Sequence, residues 1–178
     1  MNLPNSLTVF RILLIPFFLG FLIYGLYGQA LLALTVAGIT DILDGVIARM
    51  ADQRTHLGAF LDPLADKLLL TSAFVTLAIL HLVPVWVAIV VLSRDFIIVA
   101  GTLLLYITQT PMHVIPTVLG KATTLVQLLY LALVLLLSYL QRDTDVLMAL
   151  MIAMLMLTVI SGLQYVFRGI RAYNPDLV

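Results

Sequence analysis

The sequence predicts an all-α polytopic membrane protein, a bundle of six transmembrane helices with both termini in the cytoplasm. Three observations lead there. Of the 178 residues, 63% are hydrophobic and only 10% charged, against roughly a quarter charged in soluble domains. Mean hydropathy is +1.17, which excludes disorder and leaves too little polar surface for a soluble globule of this length. Cutting the chain at its polar and turn-rich points leaves six segments near the ~20 residues that a helix needs to cross a bilayer. The nine Lys and Arg balance nine acidic residues, so no basic field favours a nucleic-acid partner. Cys is absent, which removes disulfides, thiolate catalysis and cysteine metal sites together.

The first segment, Leu7–Ile23, follows Asn2-Leu3-Pro4-Asn5-Ser6. There Asn5 or Ser6 can cap the first free N–H groups of the helix. Met1 to Ser6 holds no basic residue and Arg11 interrupts the apolar run, so this start does not read as a cleavable signal peptide. Gly25 and Gly28 punctuate the turn to the second segment, Gln29–Met50. The third, Gly58–Leu80, ends at His81 to Pro84, and the fourth, Val83–Thr108, at Thr108-Gln109-Thr110-Pro111. The fifth, Leu119–Leu140, closes on Gln141-Arg142-Asp143-Thr144-Asp145 before the sixth, Val146–Phe167. Met148, Met151 and Met154 fall three apart on the sixth, a packing pattern and not a metal box. Trp86 reads as an interfacial anchor. With no internal repeat and no long linker, residues 1–178 form one domain.

Basic residues set the orientation. With the N-terminus inside, Arg49, Arg54, Lys121, Arg168 and Arg171 face the cytoplasm, and only Arg142 lies outside.

All nine acidic residues are Asp. Four of them, Asp41, Asp44, Asp62 and Asp66, flank the connection between the second and third helices. Asp41 and Asp44 are three apart and Asp62 and Asp66 four apart, so each pair shares a helix face. One helix descends to the cytoplasm and the next climbs away, so the carboxylates can face each other across the hairpin. An Asp in a bilayer costs about +2.5 to +3.5 kcal/mol at the helix centre and less toward the interface. Close like charges add repulsion. Something positive must compensate, and an oxygen-only donor set points to a hard cation, Mg²⁺ or Mn²⁺. Four carboxylates can bridge two such ions about 3.5–4 Å apart, an arrangement suited to phosphoryl chemistry. The plainer alternative makes them helix caps and solvated loop charges. That accounts for Asp52, but not for Asp62 and Asp66 within Gly58-Ala59-Phe60-Leu61-Asp62-Pro63-Leu64-Ala65-Asp66.

Neighbouring residues suit a nucleotide diphosphate lying on this hairpin. Gly45 and Ala48 remove bulk near the backbone, although close helix packing explains each of them singly. Arg49 offers a planar fork to phosphate oxygens and is equally an interfacial anchor. Thr55 and Gly58 supply a hydroxyl and an open backbone on the other side.

Written out, the stretch is Asp41-x-x-Asp44-Gly45-x-x-Ala48-Arg49, eight residues, then Gly58-x-x-x-Asp62-x-x-x-Asp66. It resembles the signature of the CDP-alcohol phosphatidyltransferase family at every defined position. At about 5% usage per residue, chance gives such a match on the order of 10⁻¹⁰ per start position. The opening Asn2 to Arg11, the run Phe60 to Lys67, and Gly120-Lys121-Ala122-Thr123-Thr124 are similar to the phosphatidylglycerophosphate synthase and cardiolipin synthase branch. The resemblance implies six transmembrane helices, usually in a homodimer, with the site open to the cytoplasm of a bacterial inner membrane. It implies two divalent ions on Asp41, Asp44, Asp62 and Asp66, and CDP contacts from Gly45, Arg49, Thr55 and Gly58. It also implies Asp66 as base in moving a phosphatidyl group from CDP-diacylglycerol to an alcohol, with release of CMP.

Ser93-Arg94-Asp95 lies deep in the fourth segment, where charge is a functional hypothesis by default. Adjacent helical residues diverge by about 100°, so Arg94 and Asp95 need not pair. Arg94 either binds an acceptor phosphate or belongs to an interhelical network. Lys121 and Arg11 can join it in an anionic pocket, with interfacial snorkelling the alternative for Lys121. Such a pocket favours a phosphate-bearing acceptor, glycerol-3-phosphate or phosphatidylglycerol. After Asp95 no second basic residue follows up to Tyr106, which is similar to the cardiolipin synthase subgroup. The competing class is an ion-coupled transporter with a carboxylate ion site, which the one-sided cluster and the lack of inverted halves disfavour.

Overall fold

The computed structural model describes residues 3–50, 56–108 and 117–173; along 3–5, 42, 44–50, 56–64, 105–106 and 172–173 the description is of backbone alone. All regular structure among the described residues is helical: α1 Leu3–Ile23, α2 Tyr27–Met50, α3 His56–Ile79, α4 Val85–Ile107, α5 Val118–Tyr139 and α6 Met148–Tyr173, with a 3₁₀ turn over Thr144–Leu147 before α6. Among the described residues four stretches are long and apolar enough to cross a membrane: Ser6–Ile23, Val85–Leu104, Val118–Tyr139 and Thr144–Arg171. The charged signature residues fall instead on α2 and α3.

The helices match the expected segments with two differences at the ends of the chain. α1 begins at Leu3, so Asn5 and Ser6 sit inside its first turn instead of capping it. Pro4 is compatible with that start because an N–H there would have no helical partner. α6 runs to Tyr173, six residues past the expected end. Arg168 and Arg171 are therefore still helical, where cations complement the helix dipole.

Three connections close in the same way. Residues in the left-handed region, Gly25 (φ 70°), His81 (φ 57°) and Gln141 (φ 54°), follow α1, α3 and α5. In each, the next residue's N–H reaches five residues back, Leu26 to Phe21 (2.8 Å), Leu82 to Leu77 (2.9 Å) and Arg142 to Leu137 (2.8 Å). These are Schellman caps, which satisfy the last carbonyls of a helix with main chain alone.

Packing divides the chain into two compact units, residues 1–83 with 131–144 and residues 84–130 with 145–178. In the first, α1 packs against both α2 and α3. Its buried stripe is Thr8, Arg11, Ile15, Phe18 and Leu22, alternating three and four apart as one helix face requires. α2 presents Ala30, Ala33, Leu34 and Ala37, mostly small residues that let backbones approach closely. α3 contributes Ala65, Leu69, Leu70, Ala73, Phe74 and Leu77.

In the second unit α4 packs against α6. Its core holds Val87, Val91, Tyr130, Met154 and Leu155 together with polar Thr123, Gln127 and Thr158. Gln127 donates to Thr158 Oγ1 at 3.1 Å, so the polar pair inside this apolar bundle is satisfied. Of the methionines on α6, Met151 and Met154 are buried while Met148 and Met156 face outward.

Candidate active site

Arg11 occupies the buried stripe of α1 with 1% of its side chain exposed, and its Nη1 lies 2.9 Å from Asp41 Oδ1 and 2.8 Å from Asp66 Oδ1. One nitrogen thus joins a carboxylate from α2 to one from α3. A guanidinium keeps its charge at every accessible pH, and burying it without partners is costly. The two carboxylates balance its charge through Nη1 while keeping 45% and 43% of their own side-chain surface exposed; its Nε is buried without a hydrogen-bond partner. The expected hairpin of facing aspartates is therefore organised through a third helix. Arg11, expected in the acceptor pocket, has its guanidinium on the signature carboxylates.

Helical spacing puts Asp44 on the face of Asp41 and Asp62 on the face of Asp66. The side chains of Asp44 and Arg49 on α2 and of Asp62 on α3 lie outside the described residues, Gly45 and Gly58 are described as backbone position alone, and Thr55 is not among the described residues. Among the described residues no three His, Cys, Asp or Glu side chains converge. The donor chemistry nevertheless fits a hard cation: two carboxylate oxygens from different helices meet on one positive centre, and carboxylate oxygen is the ligand that Mg²⁺ and Mn²⁺ prefer.

Among the described residues a second buried arginine lies in the second unit. Arg94 on α4 is 8% exposed. Its Nη1 pairs with Asp95 Oδ1 at 2.6 Å and its Nη2 donates to Ser161 Oγ on α6 at 3.1 Å. Arg94 and Asp95 thus do meet, because the long Arg side chain folds back across the 100° between their Cα–Cβ directions. Arg94 Nε is buried without a hydrogen-bond partner.

Two glycines make room around this group. A Cβ on Gly162 of α6 would sit 3.4 Å from Arg94 Cγ, and one on Gly120 of α5 would sit 3.4 Å from Arg94 Nη2 and 3.2 Å from Tyr165 Oη. Thr117 caps α5 by accepting the Gly120 N–H at 2.9 Å, and its own N–H donates to Tyr165 Oη at 3.3 Å. Lys121, one residue past Gly120, is exposed. The guanidinium, ion-paired with Asp95, thus lies beside the Thr117-capped N-terminal turn of α5.

Sequence reasoning did not single out Ser161, Gly162 or Tyr165, which pass for ordinary packing residues on an apolar helix. The usable signal was that a buried Arg needs both acceptors and space, and Ser161-Gly162 offers the two side by side.

A family model described as CDP-alcohol phosphatidyltransferase matches residues 1–161. The chain belongs to the CDP-alcohol phosphatidyltransferase family. Among relatives of this phosphatidyltransferase, a Mycobacterium tuberculosis protein named "Probable phosphatidylglycerophosphate synthase" is 38% identical over 180 residues, covering 96% of this chain and 82% of the relative. The Bacillus subtilis "CDP-diacylglycerol--glycerol-3-phosphate 3-phosphatidyltransferase" is 38% identical over 152 residues, 76% of this chain and 77% of the relative. A Drosophila melanogaster "Probable cardiolipin synthase (CMP-forming)" is 39% identical over 144 residues, 72% of this chain; the chain spans 45% of that relative's length. The ion-coupled transporter alternative finds no support among them.

Proposed function

We propose that this CDP-alcohol phosphatidyltransferase moves the phosphatidyl group of CDP-diacylglycerol to the hydroxyl of a phosphate-bearing acceptor, glycerol-3-phosphate or phosphatidylglycerol, and releases CMP. The observation that carries this is the meeting of Asp41 and Asp66, from two helices of the signature, on one cationic nitrogen at a half-exposed surface. Relatives named as phosphatidylglycerophosphate synthase, as glycerol-3-phosphate phosphatidyltransferase and as cardiolipin synthase support keeping the two together.

In this proposal Asp41, Asp44, Asp62 and Asp66 hold two divalent ions, Mg²⁺ or Mn²⁺. Bound there, such ions neutralise the pyrophosphate and stabilise the charge that develops on departing CMP. Gly45, Arg49, Thr55 and Gly58 bind the CDP moiety. Arg94 and Lys121 take the acceptor phosphate. Asp66 accepts the proton of the attacking hydroxyl as its oxygen bonds to the phosphorus bearing diacylglycerol, and the bond from that phosphorus to the CMP oxygen breaks. Transfer is direct, without a phosphoenzyme.

The bundle crosses the membrane six times in this proposal, with both termini and the site on the cytoplasmic face of a bacterial inner membrane, as a homodimer. Helices α2 and α3, at 24 residues each, are long enough for a core of about 30 Å at a rise of about 1.5 Å per residue. The basic residues favour that orientation.

The test is CMP release by purified protein in detergent micelles, with glycerol-3-phosphate and phosphatidylglycerol offered separately. Release is expected only when a divalent ion and one of these acceptors are present. Turnover that persists in chelator, or none with either acceptor, would overturn the proposal.

A further inference from the structure

We infer that Arg11 is a positioning residue for the ion-binding carboxylates. Its guanidinium holds Asp41 and Asp66 from the interior and touches neither substrate. The inference rests on the two-ion reading of the signature and assigns a role to a residue outside that signature.

Three observations carry it. First, the contrast in exposure is steep: Arg11 is 1% exposed, while the carboxylates it binds are 45% and 43% exposed. The guanidinium approaches from the packed side of α1, and the open side belongs to the aspartates. Second, a single nitrogen, Nη1, contacts Oδ1 of both residues, so the contact ties α2 to α3 through α1. Third, Arg11 lies in the buried stripe between Thr8 and Ile15, where its neighbours restrict its movement.

A placeholder that left as ions arrived would have to rebury a permanent charge elsewhere, which is strongly unfavourable. Arg11 therefore stays. It fixes one oxygen of each carboxylate, as outer partners do around metal ligands, and offsets part of the mutual repulsion of the aspartates.

The experiment titrates Mn²⁺ into the full-length detergent-solubilised protein without substrates, following free Mn²⁺ by electron paramagnetic resonance. The wild type is compared with Arg11→Met and Arg11→Lys. Removing an outer partner typically weakens metal binding by about 10–100-fold, and a loss of that order is expected for Arg11→Met. Arg11→Lys keeps the charge but not the planar fork, so a smaller rise in Kd is expected; it carries the test if Arg11→Met does not fold. At saturating Mn²⁺ the acceptor KM of Arg11→Lys should match the wild type.

Unchanged or tighter Mn²⁺ binding in the folded variants would overturn the inference, making Arg11 a bystander or a competitor of the ions. A raised acceptor KM with unchanged Mn²⁺ affinity would overturn it in favour of a substrate contact. A wild type that binds no Mn²⁺ would instead sink the two-ion reading itself.

Discussion

Replacing Gly120 by Ala should weaken the fold and the acceptor site together, by an amount that the geometry bounds. The new Cβ would stand 3.0 Å from Thr117 Oγ1, 3.2 Å from Tyr165 Oη and 3.4 Å from Arg94 Nη2. None of the three is free to yield. Thr117 Oγ1 holds the Gly120 N–H, Tyr165 Oη holds the Thr117 N–H, and Arg94 is pinned by Asp95 and Ser161. Overpacking costs about 1–3 kcal/mol, and the better helix propensity of Ala returns up to about 1 kcal/mol. With that gain counted in full the net loss is about 0–2 kcal/mol, or up to roughly 8 °C in Tm for a chain of this size. Gly162→Ala is the control. Its Cβ would meet Arg94 Cγ at 3.4 Å and Cβ at 3.8 Å, close to ordinary contact, so its Tm should equal or exceed the wild type. Thermal unfolding in detergent followed by Trp86 fluorescence, with acceptor KM measured alongside, decides it. If Gly120→Ala were as stable as Gly162→Ala and kept the wild-type acceptor KM, the crowded corner drawn around Arg94 would be wrong.

Asp66→Asn should lower kcat by about 10²–10⁴-fold, the range for a lost general base, while CDP still binds in equilibrium dialysis. Arg94→Ala should raise the acceptor KM by roughly 10–100-fold, since hydrogen bonds to charged groups contribute about 1.5–3 kcal/mol, and leave the CDP-diacylglycerol KM near its wild-type value. Gln127→Leu removes the donor to Thr158 Oγ1, whose own hydroxyl still donates to the Met154 carbonyl; such bonds between membrane helices average ~0.6 kcal/mol, so chemical denaturation should show a loss of about that size and no larger.

Hydropathy and turn chemistry made the helices legible, because a bilayer forces each apolar run to satisfy its own backbone. Gly25, His81 and Gln141 stand where the punctuation pointed. The start of α1 was misjudged because Pro4 reads equally well as a loop residue and as a first-turn residue. Within the site, spacing gave the face that Asp41 and Asp66 share with their neighbours, but not the partner across from it. Periodicity is a property of one helix, and the packing of α1 against both α2 and α3 is not. Arg11 was visible as a charge in an apolar run, and its buried pairing became evident only with three helices in place. Arg94 was likewise visible as an intramembrane charge. Its bond to Ser161 depends on how α4 meets α6, which no local pattern encodes.

The three Schellman caps carry a practical consequence. Because main-chain atoms alone seal the ends of α1, α3 and α5, the side chains at those bends are largely spare. A short tag or a single cysteine at Tyr24, His81 or Gln141 should be carried without harm. In the six-span arrangement proposed above all three bends emerge from the same leaflet, so an impermeant thiol reagent added to intact cells would label every one of them or none.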